Sequence, residues 1–177
     1  MTTPPYPRNL LQTVKLTDGT TVTVRPIRPE DADIEREFVN SLSAESRYFR
    51  FMSSMREISP DLLSRFTRID YEREMALIAT IPTDAGEREI GVARFASLEE
   101  PGECEFAIVI ADAWQNRGLA RCLMKALIDV ARERRLIRMH GIVLKSNARM
   151  LDFVRSQGFS VETDREDASL AKVSLDL

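Results

Sequence analysis

The run Cys104–Arg121, CEFAIVIADAWQNRGLAR, constrains the fold more than any other part of the chain, because it joins a buried strand, a glycine turn and a helix start. Phe106, Ala107, Ile108, Val109 and Ile110 are apolar without interruption, over strand length, directly after the Pro101-Gly102 turn signal. Glu105 stands at the mouth of that strand. Beyond it come Gln115, Asn116, Arg117, Gly118, Leu119 and Ala120, where the small residues at 118 and 120 let a ligand approach the backbone closely. Leu119, Cys122, Leu123, Ala126, Leu127, Val130 and Ala131 then recur at helical spacing and put one apolar stripe against a sheet. The turn is therefore also a helix N-terminus, whose first amide hydrogens lack intrahelical partners and carry the positive end of the macrodipole. Such an end suits a pyrophosphate, and Arg117 and Arg121 add fixed positive charge.

The rest of the chain predicts one mixed domain over residues 1–177, with residues 1–12 a loose proline-rich segment and a core from about residue 20 onward. Thr17-Asp18-Gly19 between Val14–Leu16 and Thr21–Arg28 predicts a hairpin. Helix starts are expected at Pro29-Glu30-Asp31 and at Ser59-Pro60-Asp61, with SAESRYFRF a short helix between them. Met75–Ile81, Glu89–Leu98 and Cys104–Ala111 read as an antiparallel meander. After the long helix, a strand is expected over Arg138–Leu144 and a helix over Asn147–Gln157, closed by Gly158. Two final strands are expected over Phe159–Thr163 and Leu170–Leu177.

With 177 residues and 44% hydrophobic content, one core is enough, since folding at this size buries about 70% of the unfolded chain's surface. The formal net charge of -3 gives no global basic field and argues against nucleic acid as the main partner. No stretch approaches the roughly 18 apolar residues that span a bilayer, and the N-terminus lacks a signal core, so a cytoplasmic protein is expected. Cys104 and Cys122 form no metal-binding pattern, no metal site is expected, and both read as small buried hydrophobes. The single histidine, His140, reads as a core or edge residue, and the run Arg132–Arg138 as a solvated helix end. No P-loop is present, and the turn lacks the third spaced glycine of a dinucleotide fold. Tyr48, Phe49, Phe51 and Tyr71 read as core aromatics.

Gln-x-x-Gly-x-Ala after a strand, a long helix, another strand, then Asn147 and Gly158-Phe159, together resemble the GNAT superfamily of N-acetyltransferases. Residues 22–32, VTVRPIRPEDA, with LSAESRYFRF at 42–51, IDYEREMALIA at 69–79 and GVARF at 91–95, resemble the acetyltransferase domain of bacterial protein lysine acetyltransferases. The resemblance covers roughly residues 20–177. It implies an α/β (α+β) fold with a central mixed, mostly antiparallel sheet of about seven strands flanked by helices and splayed where acetyl-CoA binds. It further implies that the glycine turn holds the pyrophosphate of acetyl-CoA and that Glu105 matches the catalytic glutamate. Asn147 corresponds to the superfamily asparagine that contacts the cofactor arm, and is equally a good helix N-cap. Met150 and Phe153 then face the pantetheine or the core, and Asp70 and Tyr71, with Glu72, are candidates for amine recognition. The related enzymes often carry a nucleotide-binding or synthetase-like domain, for which 177 residues leave no room.

Acetyl transfer to an amine needs a base, because a free lysine amine with a pKa of about 10.4 is mostly protonated near neutral pH. Glu105 is the first candidate, directly or through water, and Glu103, two residues away, shares its face. Backbone amides near Ile108, Val109 and Ile110 would stabilise negative charge on the acyl oxygen if the strand is splayed there. Many superfamily members carry a tyrosine seven residues after the asparagine, where this chain has Val154, so no tyrosine acid is expected. Asn116 and Ala120 stand where glycines are common, and alanine fits if the helix has begun. The expected acceptor is a protein lysine. A small amine such as a polyamine, amino sugar or amino acid is the alternative, as is a non-catalytic acyl-CoA sensor, and a homodimer is an assembly open to all three.

Overall fold

The apolar alternation of the chain resolves into an eight-stranded sheet of order β1-β2-β3-β4-β5-β6-β8-β7. The computed structural model describes residues 5–177. β1 (Gln12–Lys15) and β2 (Thr21–Pro26) form the hairpin predicted around Thr17-Asp18-Gly19. The meander β3 (Glu74–Thr83), β4 (Gly86–Ser97) and β5 (Glu103–Ile110) continues the antiparallel sheet. β6 (Arg138–Leu144) joins β5 in the only parallel pairing among the described residues, and β8 (Leu170–Asp176) and β7 (Ser160–Thr163) close the far edge. The strand count exceeds the seven or so expected by one, and all of the strands lie in one sheet.

Between β2 and β3 lie α1 (Ala32–Ser41), α2 (Ala44–Phe51) and α3 (Pro60–Thr67). Ser43 caps α2 by accepting from Ser46 N–H, and Ser59 caps α3 by accepting from Leu62 N–H, with Pro60 in the first turn where its missing N–H costs nothing. α4 (Leu119–Glu133) fills the crossover from β5 to β6, and α5 (Ala148–Ser156) the crossover from β6 to β7. The parallel β5–β6 pair exists because α4 supplies the long connection that such a pair requires.

α4 packs on one face of the sheet through Leu119, Leu123, Met124 and Leu127, all at most 1% exposed. Apolar residues of β2–β5 on that face, including Val24, Leu77, Phe95 and Phe106, complete the larger core. The helices α1 and α3 cover the opposite face, against Ile27, Ile78 and Val92. Of the segment expected to be loose, residues 1–4 lie outside the described residues. Tyr6, in contrast, is tied down: its hydroxyl donates to Pro26 O, and its ring meets Tyr71 edge-on at 5.8 Å. The Arg132–Arg138 run is not wholly a solvated end either, for Arg134 lies over Phe95 and donates to the Glu72 and Glu74 carbonyls.

Candidate active site

β5 and β6 pair only at Glu103–Arg138, Cys104–Met139 and Glu105–His140, and then part. The next pair in register would be Phe106 with Gly141. A Cβ on Gly141 would stand 2.5 Å from the Phe106 ring, so the ring occupies the space that a side chain at 141 would need. Beyond Glu105, β5 keeps β4 on one side and has no strand partner on the other. Glu103 O accepts from Leu98 N–H and Ala111 N–H donates to Ile90 O, so odd-numbered residues of β5 aim their backbone groups at β4. By alternation the amides of Phe106, Ile108 and Ile110 face the gap. Of the three amides expected to serve the acyl oxygen, those of Ile108 and Ile110 point the right way and that of Val109 points into the sheet.

The gap opens into a cavity of about 680 Å³. Ile108, Val109 and Ile110 line its β5 wall, and Asn147, Met150 and Phe153 its α5 wall. Asn147 does both things expected of it, since it lines the cavity and its Oδ1 accepts from Met150 N–H at 3.1 Å to cap α5. Gln115, Asn116, Gly118, Ala120 and Arg121 form the end at the α4 N-terminus. Gly118 is the residue that begins α4, at φ +84, a conformation that glycine adopts without strain. Asn116 also has positive φ, at 61, which asparagine tolerates better than most residues. Ala120 lies inside the helix, so no glycine is needed there. Val154 is fully buried in the core.

Two residues expected in the turn have other duties. Arg117 is turned to Asp18, 3.1 Å away, and over the Trp114 ring, and Leu119 is buried under α4. The Arg117 carbonyl accepts from Thr17 N–H and Oγ–H, so the β1–β2 turn braces this loop from behind. Asp70 accepts from the amides of Glu72, Arg73 and Glu74, and Tyr71 donates to Ile27 O at 2.7 Å. Neither lines the cavity.

Glu103 and Glu105 are distinguished by their partners. Glu103 Oε2 lies 2.7 Å from His140 Nε2, while Glu105 is exposed and makes no hydrogen bond among the described residues. His140 is buried, as expected, yet polar in its contacts, and its Nδ1 has no partner. Cys104 is buried, and burial together with Glu103 pushes its thiol up to about 12, which makes it unreactive.

Several cavity residues escape sequence reasoning. Arg149 lines the end with the turn and donates to Gln115 Oε1, whose Nε2 donates to Ile110 O. A cation in the first turn of a helix opposes the macrodipole, and that misplacement is a signal that could have flagged it. Phe49 and Arg50 on α2 line the opposite wall, so α2 is a wall of the site and buries none of its residues fully. Asp112 links α2 to the turn: its carboxylate accepts from Ser43 N–H, Ser43 Oγ–H and Ser46 Oγ–H at 2.9, 2.8 and 2.7 Å. These bonds hold its carboxyl below the usual range although burial acts the other way.

The geometry fits a long, anionic thiol ester. It has a strand edge with free amides, an apolar middle between Ile108 and Phe153, and an anion-binding end with Arg121, Arg149 and the α4 N-terminus. Among the described residues no cluster of His, Cys, Asp and Glu is placed to hold a metal ion, and no helix is long and apolar enough to cross a membrane.

Comparison with known proteins agrees with this geometry. The family model described as an acetyltransferase (GNAT) domain matches residues 21–160. Acetyltransferase PA5475 of Pseudomonas aeruginosa is 41% identical over 154 residues, which cover 87% of this chain and 83% of the relative. The crystal structure of the GNAT domain of S. lividans PAT superposes with a TM-score of 0.89 at 30% identity, over 98% of this chain and 100% of that one. A Salmonella typhimurium acetyltransferase, yncA, solved with its cofactor acetyl-CoA, shares the fold at a TM-score of 0.69 and 20% identity, covering 89% and 95% of the two chains.

Proposed function

Because the chain belongs to the GNAT acetyltransferases, we propose that it transfers the acetyl group of acetyl-CoA to a primary amine, a protein lysine first of all, with Glu105 as general base. The observation that supports this reading is the parting of β5 and β6 directly after the Glu105–His140 pair: the cavity lining begins at Phe106, so the exposed Glu105 is its neighbour in the chain though not part of the lining, and the anion-binding turn lies at the α4 end. Acetyl-CoA supplies an activated acyl group on a thiol that leaves readily.

Gln115, Asn116, Gly118 and Arg121 hold the pyrophosphate in this reading, and Met150, Phe153 and Ile108 hold the pantetheine arm. The Ile108 and Ile110 amides meet the charge that develops on the acyl oxygen. Glu105 takes the proton from the attacking amine, and its exposure lets a lysine on the surface of another folded protein reach it. Glu103 is the less available carboxylate because His140 already occupies it. Val154 offers no proton, so the thiolate leaves unassisted by a side chain there and is protonated from solvent. The resemblance of residues 22–32, 42–51, 69–79 and 91–95 to bacterial protein lysine acetyltransferases supports a protein acceptor over a small amine. The location proposed is cytoplasmic.

The test is release of free coenzyme A thiol from acetyl-CoA with lysine-containing proteins, polyamines and amino sugars in parallel. Protein-dependent release, with acetyl-lysine found by mass spectrometry, is the expected result. Release with small amines alone installs the other acceptor class, and binding without any release installs a sensor. Glu105→Gln should lower kcat about 100- to 10,000-fold with acetyl-CoA affinity nearly unchanged. Equal activity in that variant removes Glu105 from the mechanism.

A further inference from the structure

Arg50, on α2, makes no hydrogen bond or ion pair among the described residues, whereas two arginines of the adjoining sheet face have partners. Arg25 holds Asp31 and Glu87, and Arg94 donates to Phe66 O. The Arg50 guanidinium is held by stacking, with its central carbon 4.8 Å from the Phe51 ring centre and 5.6 Å from that of Phe66. Arg94 sits over the same Phe66 ring at 4.0 Å, so two cations share one aromatic platform. The carboxylates that act on Arg50 are Glu35 and Glu105, and neither is within hydrogen-bonding distance. Glu35 is buried beside Glu89, with Oε2 unbonded, and so is committed to the interior behind α1. Arg50 itself lines the active-site cavity, on the wall opposite α5.

A guanidinium presents planar, forked donors that match a carboxylate, and the Arg50 nitrogens are not buried away from solvent, so a ligand in the cavity can reach them. Stacking on two rings holds the fork in place before any ligand arrives, which reduces the ordering cost of binding.

We propose that Arg50 is a specificity-determining residue that binds a carboxylate on one of the two reacting partners, at the α2 wall of the cavity. This inference rests on the acyltransferase reading above. The carboxylate comes either from the acceptor, as an acidic group next to the amine, or from the acyl chain, as in a dicarboxylic acyl-CoA. Burial and Arg94 push Arg50 down to about 10, which leaves it a cation at neutral pH.

The experiment compares matched pairs that differ by one carboxylate. On the acyl side these are succinyl-CoA and butyryl-CoA with one amine. On the acceptor side they are an amino acid and its amide, and a lysine peptide with aspartate or asparagine beside the lysine, each with acetyl-CoA. The ratio of kcat/KM within each pair is read in the wild type, Arg50→Gln and Arg50→Lys. A charge-assisted hydrogen bond predicts a roughly 10- to 100-fold preference for the carboxylate member of one pair, falling to about 1 in Arg50→Gln and only part-way in Arg50→Lys. The pair that shows it identifies the source. No preference in any wild-type pair, or an unchanged ratio in Arg50→Gln, overturns the proposal. If the wild type turns over nothing, the acyltransferase reading fails, and calorimetric binding of the same pairs still decides. Tighter binding of the carboxylate member in the wild type alone keeps the anion site, and equal binding removes it. Melting temperature and coenzyme A affinity show whether each variant is folded.

Discussion

The two faces of the central sheet are built on opposite principles. Under α4 the interior is hydrocarbon: Leu77, Phe95, Leu119, Leu123 and Leu127 are each at most 2% exposed. Under α1 and α3 the interior carries Arg25, Asp31, Glu35 and Glu89, each between 1% and 4% exposed, alongside Ile27, Ile78 and Val92. β5 faces both environments, with Phe106, Ile108 and Ile110 on the α4 side and Glu105, Ala107 and Val109 on the other. The hydrocarbon face supplies a rigid floor for the cofactor turn at the head of α4. The charged face, which leads to Arg50 and Glu105, is where the acceptor would arrive. Apolar burial is non-directional and tolerates small changes, whereas buried charges demand particular partners.

The largest effect that separates the faces is expected at Arg25. Its guanidinium reaches Asp31 at 2.7 and 2.8 Å, both side chains being buried. Arg25→Met leaves Asp31 buried without its cation and should cost about 3–5 kcal/mol in urea unfolding, with Asp31→Leu added to it recovering much of the loss. A single variant as stable as the double would show that the pair does not govern this face. The pair also predicts a pH dependence. Burial alone would raise the Asp31 carboxyl, but the hydrogen bonds from Arg25 and the Arg28 amide hold it below its usual range. That contribution is complete above the unfolded carboxylate pKa of about 4 and is lost as pH falls through the lowered folded value.

On the hydrocarbon face, Leu127→Ala should cost about 3 kcal/mol, within the usual range for a buried leucine, with no pH dependence of its own. A loss below about 1 kcal/mol would mean that α4 collapses onto the vacancy, and the floor would then be softer than its packing suggests.

The smallest effect is expected at Glu89. Burial, and then the neighbouring Glu35 through its charge and a hydrogen bond that needs a proton on one of the two carboxyls, raise its carboxyl well above the usual range. A raised carboxyl has the opposite sign to Asp31: stability is greatest below the unfolded pKa and declines as pH rises toward the folded one. Glu89→Gln should therefore change stability by no more than about 1 kcal/mol at low pH and flatten the decline that sets in as pH rises above the unfolded carboxylate pKa. A variant whose melting temperature follows the same pH profile as the wild type would remove Glu89 from that titration.

The element order was legible in the sequence because periodicity is local. The β5 apolar run, the α4 stripe and the Asn147 cap each need only residues within a few positions of one another. The residues themselves predicted β1 through the Thr17-Asp18-Gly19 turn signal, and the figure of about seven strands, one short of the eight observed, came with the family resemblance. Within the site, Gln115, Gly118, Arg121 and Asn147 were visible as a motif. Arg117 belongs to the same run but turns away, because its partner Asp18 lies 99 residues earlier in the chain. Asp70 and Tyr71 had the right residue types for amine recognition. Their backbone partners at 27, 72, 73 and 74 give them structural duties that residue type does not reveal.

By itself, the sequence determined which segments are strands and helices, where the glycine turn meets a helix N-terminus, and that two carboxylates, Glu103 and Glu105, share one face at the start of β5. Only the tertiary structure decided that Phe106 fills the space over Gly141 where β5 and β6 separate, that Asp112 fastens α2 beside the turn, and that Glu103 is taken by His140 while Glu105 is left free. It also brought Arg149 to the turn and left Arg50 facing the cavity without a hydrogen-bond partner among the described residues. The physical reason is one of range. Backbone periodicity and capping act over a few residues, whereas ring packing and charge pairing join residues that only the folded sheet brings together.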